Sequence, residues 1–403
     1  MPSFDPTQVL TPDIAGSGPA LAAPAGRVLI LTAGFGEGHN AAARALAAAC
    51  EEAAGPGTAL VVDLFALATP RFNAVARRAY LGMINRTPRL WNQIYQWIDH
   101  SEILPRQLWI LRPVLRRLEA LLAADRPAVV CSTYPIYPFL LEKLRRQGQL
   151  AAPHFTVVTD SISINSLWWR ADCGGWFLPN EDTAEVLRAS GVDPARLHVR
   201  GFPVTSFFSD NADRLAPPDL RSNAPRVLYI ANSGMLRAAA TAHRLLAEED
   251  WEVTCAVGRD ERLCHKLAAL AAGRRRPARV LGWTDQIPQL LMTHHVVVSK
   301  AGGATTQEAI AARCPMIVNQ VVPGQEEGNF VLLRRHGGAD LAGTPDAVVN
   351  ELRRVFASGG AAWRQWRRSL EPLARPDAAR TIARHVLAGT IISNFKKNAT
   401  YAT

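Results

Sequence analysis

Short β-branched runs alternate with longer helical stretches along most of this chain, and they do so in two separate series. The first series places strands at Arg27–Thr32, Ala59–Asp63, Ala128–Ser132, His154–Thr159, Gly175–Leu178 and His198–Val199. Helices fall between them at Asn40–Ala54, Leu108–Ala124 and Glu181–Ser190. The second series places strands at Arg226–Ala231, Glu252–Val257, Ala278–Leu281, Val296–Ser299 and Met316–Val318, with helices at Leu236–Glu248, Glu261–Ala272, Thr305–Ala312 and Glu327–His336. Strand–helix alternation is the pattern of parallel sheets with crossover helices. The expected class is therefore α/β, with two Rossmann-like, doubly wound domains facing across a cleft.

A length of 403 residues exceeds what one hydrophobic core usually serves. Residues 1–26, rich in Pro, Ala and Gly, read as a disordered leader without the basic start or apolar run of a signal peptide. Residues 27–204 form the expected N-terminal, acceptor-side domain. The stretch 205–225, with Pro217 and Pro218, lacks strong periodicity and reads as a linker. Residues 226–360 form the second domain, and 361–390 read as basic helix packing back across both.

No apolar run approaches the roughly 20 residues that span a bilayer. The six cysteines are scattered without a CxxC pair, which favours free thiols and a cytoplasmic setting over disulfides or structural zinc. A formal net charge of +10 attracts polyanions, and charge alone does not choose between nucleic acid and an anionic leaflet.

The first strand runs into Gly34-Phe35-Gly36-Glu37-Gly38-His39 and then a small-residue helix. Gly34, Gly36 and Gly38 allow a sharp turn and close approach of a ligand to amides at a helix start. A dinucleotide site would want glycine where His39 stands, although Asp63 lies at a plausible distance for a ribose. Histidine suits proton acceptance near neutral pH, and it equally suits a solvent-exposed helix cap. Its place between a glycine turn and a small-residue helix favours the base.

The most specific segment is Ser299-Lys300-Ala301-Gly302-Gly303-Ala304-Thr305-Thr306-Gln307-Glu308-Ala309, a strand feeding a Gly-Gly turn and a helix. Amides at that turn suit a diphosphate. Glu308, expected in about the first helical turn, suits two ribose hydroxyls or merely the helix dipole. Downstream, Val322–Asn329 gathers Gln325, Glu326 and Asn329, planar groups of the kind that hold sugar hydroxyls. Taken alone it reads better as a polar turn opening a helix.

Together these segments resemble glycosyltransferase family 28, and within it the monogalactosyldiacylglycerol synthases and bacterial diacylglycerol glucosyltransferases. The likeness runs from about residue 27 to about 340. It is carried by Gly34–Leu46, Val158-Thr159-Asp160, Leu178–Glu181, Gly201–Val204, Gly282-Trp283-Thr284-Asp285, Ser299–Ala309 and Pro323–Asn329. The resemblance implies a GT-B fold and inverting transfer of a hexose from a UDP-sugar to a membrane lipid such as diacylglycerol. The UDP-sugar is then a co-substrate, with no cofactor and no metal. It implies a diphosphate at Gly302, Gly303 and Thr305, ribose at Glu308, and sugar hydroxyls at Gln325 and Glu326 with Asn329 nearby. Uracil is expected near Trp283 and Thr284. His39 is the implied base or lipid contact, and Asp160 a second candidate that positions the acceptor.

Two departures stand out. The loop Ala231-Asn232-Ser233-Gly234-Met235 is poorer in glycine than the family's, so Ser233 and Gly234 are the donor candidates left there. Asn165 precedes Trp168 where the family often has histidine.

Between Arg71 and Arg117 cations and aromatics interleave, among them Arg77, Arg78, Arg86, Trp91, Trp97 and Trp109. Such residues suit an anionic membrane surface, though Trp residues also build helical cores and nucleic-acid platforms. With the family likeness the membrane reading is preferred, and no nucleic-acid partner is expected. The implied place is the cytoplasmic face of a membrane, attached peripherally. Two rival readings are a UDP-GlcNAc 2-epimerase-like enzyme and a non-catalytic binder of nucleotide-sugar or lipid.

Overall fold

The structure, a computed structural model, describes residues 27–87, 93, 108–231, 237–324 and 326–388. The 1–26 segment read as a leader lies outside the described residues. Strands β1 (Val28–Thr32), β2 (Ala59–Asp63), β3 (Val129–Ser132), β4 (His154–Val157), β5 (Gly175–Leu178) and β6 (Leu197–Val199) make a first sheet in the order β2-β1-β3-β4-β5-β6. Strands β7 (Arg226–Ile230), β8 (Glu252–Ala256), β9 (Ala278–Leu281), β10 (Val296–Lys300), β11 (Met316–Gln320) and β12 (Ala339–Leu341) make a second, ordered β12-β11-β10-β7-β8-β9. Every pairing in both sheets is parallel. Runs such as Val28–Leu31 and Val296–Val298 are fully buried, as parallel strands covered on both faces must be.

The topology locates the cleft before any side chain is considered. Ligands in open parallel sheets sit beyond the strand C-termini where the strand order reverses. In the first sheet that reversal lies between β1 and β3, so the loops at Gly34–Gly38 and Thr133–Tyr134 flank it. In the second it lies between β7 and β10, so the turn at Ala301–Gly303 flanks it.

Several elements differ from the sequence expectation. β4 stops at Val157, and the last ladder bond is Val158 N–H to Phe177 O at 2.9 Å, which releases Thr159 and Asp160 into the cleft. Helices Tyr137–Arg146 and Ile287–Thr293 are additional to those expected, and each carries proline in its first turn, where the ring costs no helical hydrogen bond. The 205–225 stretch holds one short helix, Phe207–Asp210, anchored by buried Phe208. Helix Pro345–Ser369 runs through the expected boundary at 360, broken there by left-handed Ser358, Gly359 and Gly360.

The C-terminal segment packs across both halves. Trp363 stays in a core of the second domain, and Leu370 in a cluster that the second domain shares with Ala42, Phe202 and Val204 of the first. Chain 378–388 is helical, and its Ala379, Ile382, Ala383 and Val386 join Val28, Ile30 and Leu46 in a core of the first. The crossing is tight at Gly201, whose φ is +95° and whose absent Cβ would lie 2.5 Å from Arg375 Cβ.

Candidate functional site

The two glycine turns face each other. A Cβ on Gly38 would lie 3.6 Å from the backbone N of Ala304, and one on Gly303 would lie 3.4 Å from the carbonyl of Thr159. None of Gly34, Gly36 and Gly38 adopts a left-handed φ, and Gly36 is an extended N-cap at φ −174°. The chain turns at Gly34–Phe35 as expected, without a left-handed glycine, and a Cβ at Gly38 would meet the facing helix start at ordinary van der Waals distance. Asp63, the ribose candidate of a dinucleotide site, is spent within the fold: Oδ2 accepts the Gly34 N–H at 2.8 Å and Oδ1 caps Ala66 N–H at 2.9 Å.

His39 is the third residue of helix Glu37–Ala54 and is buried. It is not the exposed cap that the sequence left open. Its Nδ1 lies 2.7 Å from the Thr159 hydroxyl, and the Thr133 hydroxyl donates to its main-chain carbonyl at 3.1 Å. Tyr134 meets the imidazole edge-on with ring centroids 5.1 Å apart, and Trp168 lies at 6.0 Å. Burial pushes the imidazole below its ordinary range, against the raising pull of the Asp160 charge and a Thr133 main-chain contact. The ring is therefore neutral at pH 7 and able to accept a proton. Asp160 accepts from the Trp168 indole N–H at 3.0 Å, and burial raises its carboxyl, offset by His39 and that hydrogen bond. Asn165, at the departure from the family pattern, caps the short turn before Trp168 by accepting the Leu167 N–H at 3.0 Å.

Across the cleft, helix Gly303–Ala311 has Gly302 as N-cap and no side-chain cap. The first amides of such a helix have no partner within it, and the dipole favours an anion there. Gly302 N–H is an exception, since it already donates to Lys300 O at 2.8 Å. The amides that the helix itself leaves unpaired at this turn are therefore those of Gly303, Ala304 and Thr305. Because the helix starts at Gly303, Glu308 falls in its second turn and not, as expected, in the first, so the helix dipole does not account for it. Burial lifts its carboxyl to about 7, with Arg44 pulling it down and Glu37 pushing it up from the opposite domain.

Lys300 stands within the glycine-turn motif, yet sequence reasoning gives it no role. Its ammonium lies 2.5 Å from Glu326 Oε1, while Oε2 accepts the Val322 N–H at 3.1 Å. Asn329 is buried and donates to Ala301 O at 3.1 Å; its Oδ1 has no partner among the described residues. Ser233, Gly234 and Gln325 lie outside the described residues. Trp283 is 57% exposed, and the Thr284 hydroxyl accepts the Gln286 N–H at 3.1 Å.

The domains touch directly beside this site. Gln307 donates to the Ser161 hydroxyl at 3.0 Å, and Asp182 takes Arg335 and, at 2.9 Å, His336. On the proposed lipid side, Trp109 and Ile110 are 61% and 56% exposed, which excludes a core role for this tryptophan. Arg78, Arg112 and Arg116 are exposed as well. Trp91 and Trp97, and the side chains of Arg77 and Arg86, lie outside the described residues. No described helix is long and apolar enough to cross a membrane.

Known proteins resemble this chain in sequence and in fold. Residues 39–204 match the family model described as monogalactosyldiacylglycerol (MGDG) synthase. A processive diacylglycerol beta-glucosyltransferase of Bacillus cereus is 25% identical over 379 residues, covering 90% of this chain and 93% of its own. The chain is similar to diacylglycerol glucosyltransferases along nearly its whole length. A Bacillus anthracis protein of the same description shows the same identity and coverage. Among solved structures, Acinetobacter baumannii MurG superposes with a TM-score of 0.55 at 16% identity, over 90% of this chain and 99% of that one. The S. aureus MnaA–UDP co-structure gives 0.58 at 12%, over 90% and 96%. These solved structures show the fold, which is GT-B.

Proposed function

We propose that the protein is an inverting glycosyltransferase that moves a hexose from a UDP-sugar to a membrane lipid hydroxyl such as that of diacylglycerol. One observation carries the reading. A buried, neutral imidazole on one domain faces, through Thr159, the uncapped amides of Gly303–Thr305 on the other. The curated relatives are named diacylglycerol beta-glucosyltransferases, and the domain that matches the MGDG synthase model is the one holding His39 and Asp160.

In the proposed reaction the lipid oxygen attacks the anomeric carbon and the bond from that carbon to the β-phosphate oxygen breaks. His39 takes the hydroxyl proton, and UDP leaves with the bonding electron pair. In the tautomer whose Nδ1–H the Thr159 hydroxyl accepts, the lone pair that receives the proton sits on Nε2. The preformed amides at Gly303–Thr305 stabilise the charge growing on the leaving diphosphate. Glu308 holds the ribose, Trp283 and Thr284 border the uracil, and Asn329 with Gln325 and Glu326 meets the sugar. Asp160 supports the imidazolium that forms. The exposed Trp109–Ile110 turn with Arg112 and Arg116 brings the acceptor domain to an anionic membrane surface, peripherally and from the cytoplasmic side. Incubation with labelled UDP-glucose or UDP-galactose and diacylglycerol vesicles tests the whole reading. A glycolipid of inverted anomeric configuration supports it. Turnover to an epimerised nucleotide-sugar without lipid would replace it with the epimerase reading.

A further inference from the structure

Lys300 and Glu326 form an ion pair that the site as assigned does not use. Lys300 ends β10 at a shift in register, where Ser299 pairs with Val318 but Lys300 pairs with Gln320. A bulge of this kind re-aims a side chain beside a site. The lysine stem lies over the N-cap: a Cβ on Gly302 would be 3.5 Å from Lys300 Cε and 3.8 Å from Glu326 Oε1. An ammonium at the positive end of a helix is unfavourable, and Glu326 is the carboxylate that holds it there. Both Glu326 oxygens are already engaged, Oε1 by Lys300 and Oε2 by the Val322 N–H. In this state a sugar hydroxyl would have to share Oε1 with the ammonium.

Resting on the donor site proposed above, we infer that Lys300 is a positioning residue that exchanges partners when the donor binds. A diphosphate drawn to the amides of Gly303–Thr305 arrives beside the ammonium and outcompetes a single carboxylate by charge. Lys300 then neutralises the diphosphate, and Glu326 Oε1 is released to accept a hydroxyl of the sugar. The exchange links nucleotide capture to completion of the sugar site and involves no covalent change.

The test compares UDP with uridine, by calorimetry, on the full chain and on Lys300→Ala, Glu326→Gln and the double variant. Lys300→Ala should weaken UDP about tenfold or more, the range for a charge-assisted hydrogen bond, and leave uridine unchanged. Glu326→Gln frees the lysine and should tighten UDP, and that gain should vanish in the double variant. A merely structural ion pair would weaken UDP in both single variants, and general charge repulsion would leave the gain intact without Lys300. Either result overturns the exchange. Wild-type protein that binds UDP no better than uridine overturns the diphosphate site itself, and the role of Lys300 falls with it.

Discussion

The hydroxyl of Thr159 lies 2.7 Å from Nδ1 of His39, and both groups are buried. A hydroxyl is a mild partner for an imidazole, because it holds the ring plane without the charge a carboxylate would bring and pairs with either tautomer. The charge comes from Asp160, the next residue, which raises the imidazole's proton affinity while burial lowers it more. The same backbone turn carries the Thr159 carbonyl to Gly303, so the imidazole and the Gly302–Gly303 turn are held in one register.

His39→Ala should therefore lower kcat by about 10²–10⁴, the usual contribution of a general base. Thr159→Val keeps the shape and removes the hydrogen bond, and should cost roughly tenfold in kcat with little change in donor KM. Because burial lowers the imidazole, the acid limb of kcat/KM should fall below the ordinary histidine range, near 6.5. Turnover assays across pH on the three proteins check this. Full activity in His39→Ala would remove the base.

Glu308 offers a test free of phosphate titration. Its carboxyl is lifted to about 7, so it changes charge across neutral pH. An ionised carboxylate accepts two ribose hydroxyls, whereas the acid offers one fewer acceptor site. Uridine should bind more tightly as pH rises from about 6 to about 8, and Glu308→Gln should be weaker and flat. A pH-independent wild-type affinity would separate Glu308 from the ribose.

The two-sheet architecture is readable because fully buried parallel strands keep continuous β-branched runs, as at Val296–Val298. Site position follows from the glycine turns after β1 and β10. What is not readable depends on distance in the chain. Lys300 and Glu326 are 26 positions apart and meet only when β10 and the loop after β11 lie side by side. Thr159 belongs to the Val158–Asp160 motif, but its contact with His39 spans 120 positions. Glu308 reads one turn too early because a Gly-Gly pair looks like loop, while Gly303 in fact opens the helix. The histidine's burial depends on Tyr134 and Trp168, which no local pattern joins to it.

Gly328 sets the spacing of the domains. A Cβ there would lie 1.8 Å from the Ser161 carbonyl and 2.5 Å from Ser163 N, both backbone atoms of the opposite domain. Backbone cannot rotate away as a side chain can, so Gly328→Ala must part the domains locally. A misplacement near about 1 Å commonly costs about 10²-fold in rate. Turnover should fall to that degree while far-ultraviolet circular dichroism stays unchanged, since the clash falls on the irregular chain 161–163 and not on a strand of either sheet. Wild-type turnover in Gly328→Ala would show that this contact is not part of the working geometry.

The exposed turn Trp109–Ile110 should govern membrane attachment. Two large apolar side chains beside exposed Arg112 and Arg116 combine burial into lipid with attraction to anionic head groups. Each cation near the surface contributes about 1 kcal/mol. Trp109→Ala with Ile110→Ser should reduce sedimentation with anionic vesicles at all salt concentrations. Arg112→Ala with Arg116→Ala should reduce it chiefly at low salt. Binding indifferent to both pairs would place the membrane contact elsewhere on the chain.

Acid should destabilise the second domain through two adjacent histidines. His295 is fully buried; its Nδ1 accepts the Arg226 N–H at 2.8 Å and its Nε2 faces the Pro218 carbonyl at 2.8 Å. That pairing fits only the neutral ring, because a proton on Nδ1 would meet a donor. His294 is held between Leu290 O at 2.8 Å and the Thr254 hydroxyl at 2.9 Å. Burial drives each to about 4, with the neighbouring Arg226 charge acting the same way and the carbonyl contacts opposing it. In the unfolded chain both protonate near 6.5, so between pH 6.5 and 4 the unfolded state binds more protons than the folded one. Stability is therefore full above about 6.5 and falls with decreasing pH, by up to about 1.4 kcal/mol per pH unit for each ring. Thermal melts from about pH 7.5 to about pH 4.5 should show Tm dropping through this window. Since the Trp363 indole donates to His295 O at 2.7 Å, near-ultraviolet tryptophan signals should change with it. A Tm that holds constant from about pH 6.5 to about pH 4.5 would mean these rings do not carry the acid response.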